Sequence, residues 1–340
     1  MRATAAHPAP PADPPPRAAG RPPPGLPPHA PEEGLAARLL GPLRVTGVFW
    51  YRIHRFGMRV VPEWALPGMI FAFTTLFWVV LRKIRDGVAS NLEAVLGPCG
   101  WWPRQVRIFR TFHQYAWCLS ERYERLTTAP PVAIEADHPE RWRRALVPGR
   151  GVILLTGHFG SWEVGSALAG EAERRPVHVV REEETDPRAQ AFIARLLAER
   201  MGPGYHTHFA AGADPGLSMA LLAALGRGEA VALQGDRPRH GGKTLRLPLF
   251  GRPYDFPAGP LVLARSAGVP LMPVFVLREG RLVYRALIGE PIAVAHTADR
   301  AADLAAAGAK VATAIEAAIR TRPHQWFCFR RLWPAGKDAT

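Results

Sequence analysis

The stretch GVILLTGHFGSWEVG, residues 151–165, joins a short aliphatic run to a glycine-punctuated polar turn. Val152 to Leu155 have the character of a buried strand, and the run stops at Thr156-Gly157. His158 follows, with Glu163 five positions later. With 12 histidines and 29 acids in 340 residues, chance supplies such a pair, and the chain holds a second, His178 with Glu183 in HVVREEE. Geometry separates the two. On one continuous helix a five-residue step leaves the side chains about 140° apart, so a working pair needs a bend before the helix. Gly157 and Gly160 permit that bend, and Ser161 can cap a helix whose first turn carries Glu163. The second pair has no glycine, and an odd separation on a strand puts its members on opposite faces. His158 with Glu163 is the better catalytic candidate.

Outward from this turn, short apolar runs alternate with helical patterns. Strands are predicted at Val152 to Leu155, Val177 to Val180, Ala230 to Leu233, Leu271 to Leu277 and Leu282 to Ile288. Helices are predicted at Trp162 to Glu173, Pro187 to Arg200, Pro215 to Leu225, Gly259 to Ser266 and Ala298 to Arg320. The alternation implies an α/β body with a mixed, largely parallel central sheet flanked by helices, and active sites in such sheets gather at strand ends. His158 lies at one.

Towards the N-terminus the pattern is different. Residues 1–34 hold twelve prolines and no apolar run, the composition of a disordered tail that also lacks the hydrophobic core of a signal peptide. Trp64 to Leu81 carry no charge over eighteen residues, and Arg82, Lys83 and Arg85 come at once after them. Terminal tryptophans and a basic flank favour a membrane-embedded or membrane-lying helix over a buried core helix, without settling whether it spans. In RQVRIFRTFHQYAWCLSERYERL, residues Val106, Phe109, Phe112, Ala116, Leu119 and Tyr123 recur at helical spacing among arginines, which marks an amphipathic basic helix that packs on the body, with contact to acidic lipid the alternative, and His113 a packed or surface residue rather than a catalyst. The expected organisation is a Pro-rich tail at 1–34, a helical membrane-associated region at 35–130 and an α/β domain at 131–335.

The formal net charge of +14 rests on arginine, since Lys83, Lys243, Lys310 and Lys337 are the lysines. It selects anionic partners, but no nucleic-acid motif accompanies it, so nucleic acid is not an expected partner. Cys99, Cys118 and Cys328 are far apart, with neither disulfide nor zinc spacing, and point to a reducing compartment. His206 and His208 have HxH spacing but no third ligand nearby in sequence; no metal is expected, and they are candidates to line an acceptor cleft. No GxSxG nucleophile elbow is present.

HFGSWE resembles the HxxxxD/E signature of the glycerolipid acyltransferase superfamily, in a context similar to its lipid A lauroyl/myristoyl acyltransferase branch, which includes phosphatidylinositol mannoside acyltransferases. LRKIRDGVASNLEAVLG is similar to the branch's basic segment ending in Asn-Leu. GEAVALQGDRPRHGGKTLRLPLFG, continuing to VPLMPVF, resembles its central block, and RPHQWFCFRRLW its C-terminal Pro-x-Gln-Trp ending, although FCF departs from the branch's second tryptophan. The ordered set carries the resemblance over roughly 45–333.

The resemblance implies a membrane-associated acyltransferase at the cytoplasmic face of the cell inner membrane. It would move a fatty acyl group from acyl-CoA or acyl-carrier protein to a hydroxyl of a lipid or glycolipid, without a cofactor. In this reading His158 is the general base and Glu163 fixes its tautomer. Backbone N–H groups of Phe159, Gly160 and Ser161 would hold the oxyanion. Arg181, Asp236, Arg237 and Arg239 would bind substrate. A membrane-bound acyl hydrolase and a non-catalytic lipid-binding relative are the alternatives.

Overall fold

A strand without a polar face needs cover on both sides, and the chain supplies it from helices before and after. The computed structural model describes residues 56–57, 60–128, 130–164, 175–183, 187–201, 204–210, 214–238 and 241–333. The proline-rich tail, residues 35–55, most of the helix predicted at Trp162 to Glu173, and Arg239 lie outside the described residues. In chain order come α1 (Leu66–Val80), α2 (Arg82–Leu96), α3 (Trp101–Thr128), β1 (Ala133–Asp137), α4 (Pro139–Ala145), β2 (Val152–Thr156), β3 (Val177–Glu182), α5 (Pro187–Arg200) and β4 (Tyr205–Ala210). After them are α6 (Pro215–Gly226), β5 (Ala230–Gln234), β6 (Thr244–Leu249), β7 (Arg252–Pro257), α7 (Gly259–Ala267), β8 (Leu271–Gly280), β9 (Val283–Ile288), α8 (Arg300–Thr321) and a 3-10 turn at Pro323–Gln325.

Seven strands form one sheet in the order β1-β9-β8-β2-β5-β3-β4. The run from β8 to β4 is parallel throughout, and β9 pairs antiparallel with β8. β6 and β7 make a separate hairpin. All five residues of β2 are buried, as expected for a parallel strand covered on both faces. Ile153 and Leu155 pack with Leu221, Leu261 and Ile315 of α6, α7 and α8 on one side. Val152 and Leu154 pack with Ala145 of α4 and Val179 on the other. Local chemistry places the helix ends: Asp214 caps α6 by accepting from the N–H groups of Gly216 and Leu217 at 2.8 and 3.2 Å, and α7 stops at Gly268, whose φ of 64° suits glycine.

The architecture is the mixed, largely parallel α/β sheet that the alternation predicts, with differences in detail. β4 and the β6/β7 hairpin carry too little continuous apolar sequence to stand out, and β1 is a half-exposed edge strand. The apolar run at 64–81 and the basic segment beyond it form two separate helices. The first breaks at Leu81, whose ψ of 63° is not helical, and α2 leaves at 95° to α1. At 15 residues, α1 is roughly 22 Å long, short of the ~30 Å hydrocarbon core. Among the described residues no single helix is long and apolar enough to cross a membrane, although α1 and α2 together pass by length and composition.

The helices are fastened to the sheet by polar groups as well as packing. Glu121 of α3 is buried, pairs with Arg278 of β8 at 2.7 Å and accepts from the Tyr284 hydroxyl of β9 at 2.7 Å. Asn91 of α2 reaches the C-terminal segment: its Nδ2 donates to the carbonyls of Cys328 and Arg330 at 3.0 and 2.8 Å, and its Oδ1 accepts from Leu332 N at 3.1 Å. Gly87 lies beneath the same segment, where a Cβ would meet Phe329 O. The Asn-Leu and Gln-Trp-Phe stretches, distant in sequence, are thus one structural unit.

Candidate active site

β2 and β5 are parallel neighbours with Thr156 opposite Gln234. Each strand is followed by a glycine and then a polar residue, so His158 and Asp236 emerge side by side two positions later. Gly157 permits the approach, since a Cβ there would sit 3.1 Å from Asp236 Cγ. His158 Nδ1 and Asp236 Oδ1 are 2.8 Å apart. The turn is held from outside by the C-terminal segment and β8: Gly160 N donates to Gln325 O, Ser161 N to Val276 O, and Phe327 N to His158 O, at 2.9, 2.9 and 2.8 Å. Gly160, with φ of 53°, lies against Val276 O where a side chain would collide.

Asp236 is fully enclosed, only 2 % exposed. Burial opposes its charge, but His158 and Arg237 outweigh burial and bring its pKa down to about 2. Trp326 Nε1 donates to the other carboxylate oxygen at 3.3 Å. A permanent carboxylate at this distance makes Nδ1 the protonated nitrogen and leaves Nε2 as the basic one. Arg237 Nε also lies 3.0 Å from Nδ1. One nitrogen cannot donate to Asp236 and accept from Arg237 together, so the attraction of Arg237 is to the carboxylate.

Glu163 is not at Nδ1. The expected His158–Glu163 pairing is replaced by His158–Asp236, because the helix carrying Glu163 directs it towards arginines. Arg181 Nη2 and Arg122 Nε lie 2.6 and 2.7 Å from its two oxygens. Burial works against this carboxylate too, and the two guanidiniums overcome it and lower its pKa. Arg181 also lies 4.9 Å from the centre of the Trp162 ring. The expected backbone oxyanion donors need correcting as well: Phe159 N donates to Gly157 O at 2.7 Å, so all three N–H groups from Phe159 to Ser161 already bond protein carbonyls.

His158, its side chain 28 % exposed, opens onto a cleft of about 1690 Å³. Arg122, Arg181, Arg237, Lys243 and Arg330 give the lining its charge, and Leu217, Leu221 and Leu263 with Ile193 and Leu197 give it two apolar walls. Tyr115, Cys118, Leu119 and Arg122, one face of α3, line it also. This face shares only Leu119 with the predicted stripe of α3, although its own spacing is the helical i, i+3, i+4, i+7. Burial pushes the Cys118 and Cys328 thiols up to about 12, so neither is a nucleophile at neutral pH.

The remaining histidines lie elsewhere. His178 bonds His208 at 2.9 Å and Glu229 at 2.8 Å and stacks on His206. His206 and His208 do not line the cleft; Tyr205 and Phe209 of the same strand do, because alternate residues face opposite sides of the sheet. His113 sits between α1 and α3, 3.3 Å from Thr74 Oγ1 and accepting from Trp117 Nε1 at 3.1 Å.

Residues 37–335 match the family described as bacterial lipid A biosynthesis acyltransferase. The chain belongs to this family. No curated protein matches it. The match runs from before α1 to the C-terminal segment, so in this acyltransferase family member the N-terminal helices and the sheet fall within one matched region. The four segments that resemble the branch converge in space: the His158 turn, the Asp236 loop and Gln325-Trp326 touch one another, and Asn91 holds the end of the last.

Proposed function

We propose that this chain is a membrane-associated O-acyltransferase that moves a fatty acyl group from acyl-CoA or acyl-carrier protein to a hydroxyl of a lipid or glycolipid, at the cytoplasmic face of the inner membrane. The observation that carries the reading is the His158–Asp236 pair opening onto a cleft both basic and apolar. Nε2 of His158 takes the acceptor's hydroxyl proton as its oxygen attacks the thioester carbonyl, and Asp236 stabilises the imidazolium that forms. The arginines suit phosphate groups on donor or acceptor, and the leucine walls suit acyl chains. No nucleophile from the protein is needed, because the thioester is already activated.

The test is incubation of the chain in lipid vesicles with labelled acyl-CoA or acyl-carrier protein, followed by mass spectrometry of the lipids. Wild type should give an acylated lipid, and His158→Ala none while binding vesicles equally. Labelled free fatty acid as the sole product would replace transfer by hydrolysis.

A further inference from the structure

Charge that develops on the thioester oxygen needs a hydrogen-bond donor aimed into the cleft, and the obvious backbone donors are taken. Phe159, Gly160 and Ser161 each direct their N–H to a protein carbonyl at 2.7 to 2.9 Å. Arg237 lies on the Nδ1 side of His158, away from the nitrogen that meets the acceptor. Arg122 and Arg181 direct their charge to Glu163.

Among the side-chain donors that line the cleft, which include Lys243, Arg330 and the Ser161 hydroxyl, Tyr115 of α3 is packed against the segment that holds the His158 turn. It lines the same cleft as His158 and keeps 39 % of its surface accessible. Its ring is gripped edge-on by Phe327 and Phe329, with centroids 5.2 and 4.8 Å away. Phe327 is itself bonded to the His158 carbonyl, so ring and imidazole are set by one piece of chain. Among the described residues the phenol makes no hydrogen bond. Partial burial of the phenol pushes its pKa up, against the opposing pull of Arg122 and Arg237, so it stays a donor at neutral pH.

We propose that the Tyr115 hydroxyl is the oxyanion donor of this site, an assignment that rests on the acyl-transfer reading. As the acceptor oxygen bonds to the thioester carbon, the carbonyl π pair moves onto oxygen and the hydroxyl proton moves to His158 Nε2. Tyr115 donates a hydrogen bond to that oxygen and keeps its proton. When the C=O bond re-forms, the C–S bond breaks and the thiolate leaves with the proton from the imidazolium.

Tyr115→Phe removes the hydroxyl and keeps the ring contacts. With dodecanoyl-CoA as donor, kcat should fall about 100-fold with KM within about twofold. A twelve-carbon trifluoromethyl ketone, whose hydrate mimics the tetrahedral intermediate, should bind Tyr115→Phe at least about tenfold more weakly than wild type. Full-rate transfer by Tyr115→Phe, a change in KM alone, or loss on Ser161→Ala with Tyr115→Phe unaffected overturns the phenol's role and leaves acyl transfer standing. No transfer by wild type, with equal ketone binding by both chains, overturns both readings.

Discussion

Asp236 and Glu163 are buried carboxylates beside one cleft, and their partners divide their work. Asp236 faces an imidazole nitrogen, while Glu163 faces two guanidiniums. A carboxylate on Nδ1 fixes the tautomer, and its amide replacement leaves the wrong nitrogen protonated, a change that costs about 10⁴-fold in kcat in a serine protease triad. Asp236→Asn should therefore lower kcat by about 10³- to 10⁴-fold with little change in KM. Glu163→Gln leaves the imidazole's bonds intact and loosens Arg122 and Arg181, so it should act mainly on KM, by roughly tenfold. Steady-state kinetics of both variants decide the matter, and a larger kcat loss in Glu163→Gln would return Glu163 to the imidazole. His158 was legible from sequence because a strand end, two glycines and a spacing argument meet at one turn. Its partner was not, since Asp236 is 78 positions away and arrives only through the pairing of β2 with β5. Two strands each ending in Gly and then a polar residue were the available signal.

At the scale of elements, the sheet was readable where burial on both faces gives continuous apolar runs. Alternation along β4, the short β6/β7 hairpin and the exposed edge at β1 left no comparable run. The joint between α2 and the C-terminal segment was equally silent, because a lone asparagine in a helix announces nothing. In place, Asn91, itself buried, satisfies three backbone groups of the C-terminal segment. Its replacement by leucine removes the partner of the buried Cys328 carbonyl and of the Leu332 N–H, at about 1 kcal/mol each, so Asn91→Leu should lower unfolding stability by roughly 2 kcal/mol. Chemical denaturation measures this. The same segment carries Phe327 and Trp326, which position His158 and Asp236, so activity should fall in Asn91→Leu at temperatures where the chain remains folded. A loss of activity no greater than the loss of folded protein would remove the positioning role and keep only the structural one.

For the whole molecule, the surface of α1 is what the sheet and its core leave unexplained. Phe71, Leu76, Val79 and Val80 are between 46 % and 57 % exposed along one short helix, beside the basic start of α2 at Arg82, Lys83 and Arg85. Trp101 and Trp102, at the start of α3, are 70 % and 68 % exposed. The proposed membrane contact calls for exposed apolar side chains, interfacial tryptophans and cations, and a net charge of +14 would favour an anionic surface. A helix too short to span can lie in that interface. Leu76→Glu with Val79→Glu removes two exposed aliphatic groups, each worth about 1–1.5 kcal/mol if buried in lipid, and adds two negative charges against an anionic surface. Partitioning onto vesicles of acidic phospholipid, measured by sedimentation, should fall about 100-fold while circular dichroism stays unchanged, because neither side chain is part of the core. Wild-type binding should weaken with added salt, since the cationic share of the attraction is screened within about 10 Å at 0.1 M. Equal partitioning of the double variant and wild type would move the membrane contact away from α1.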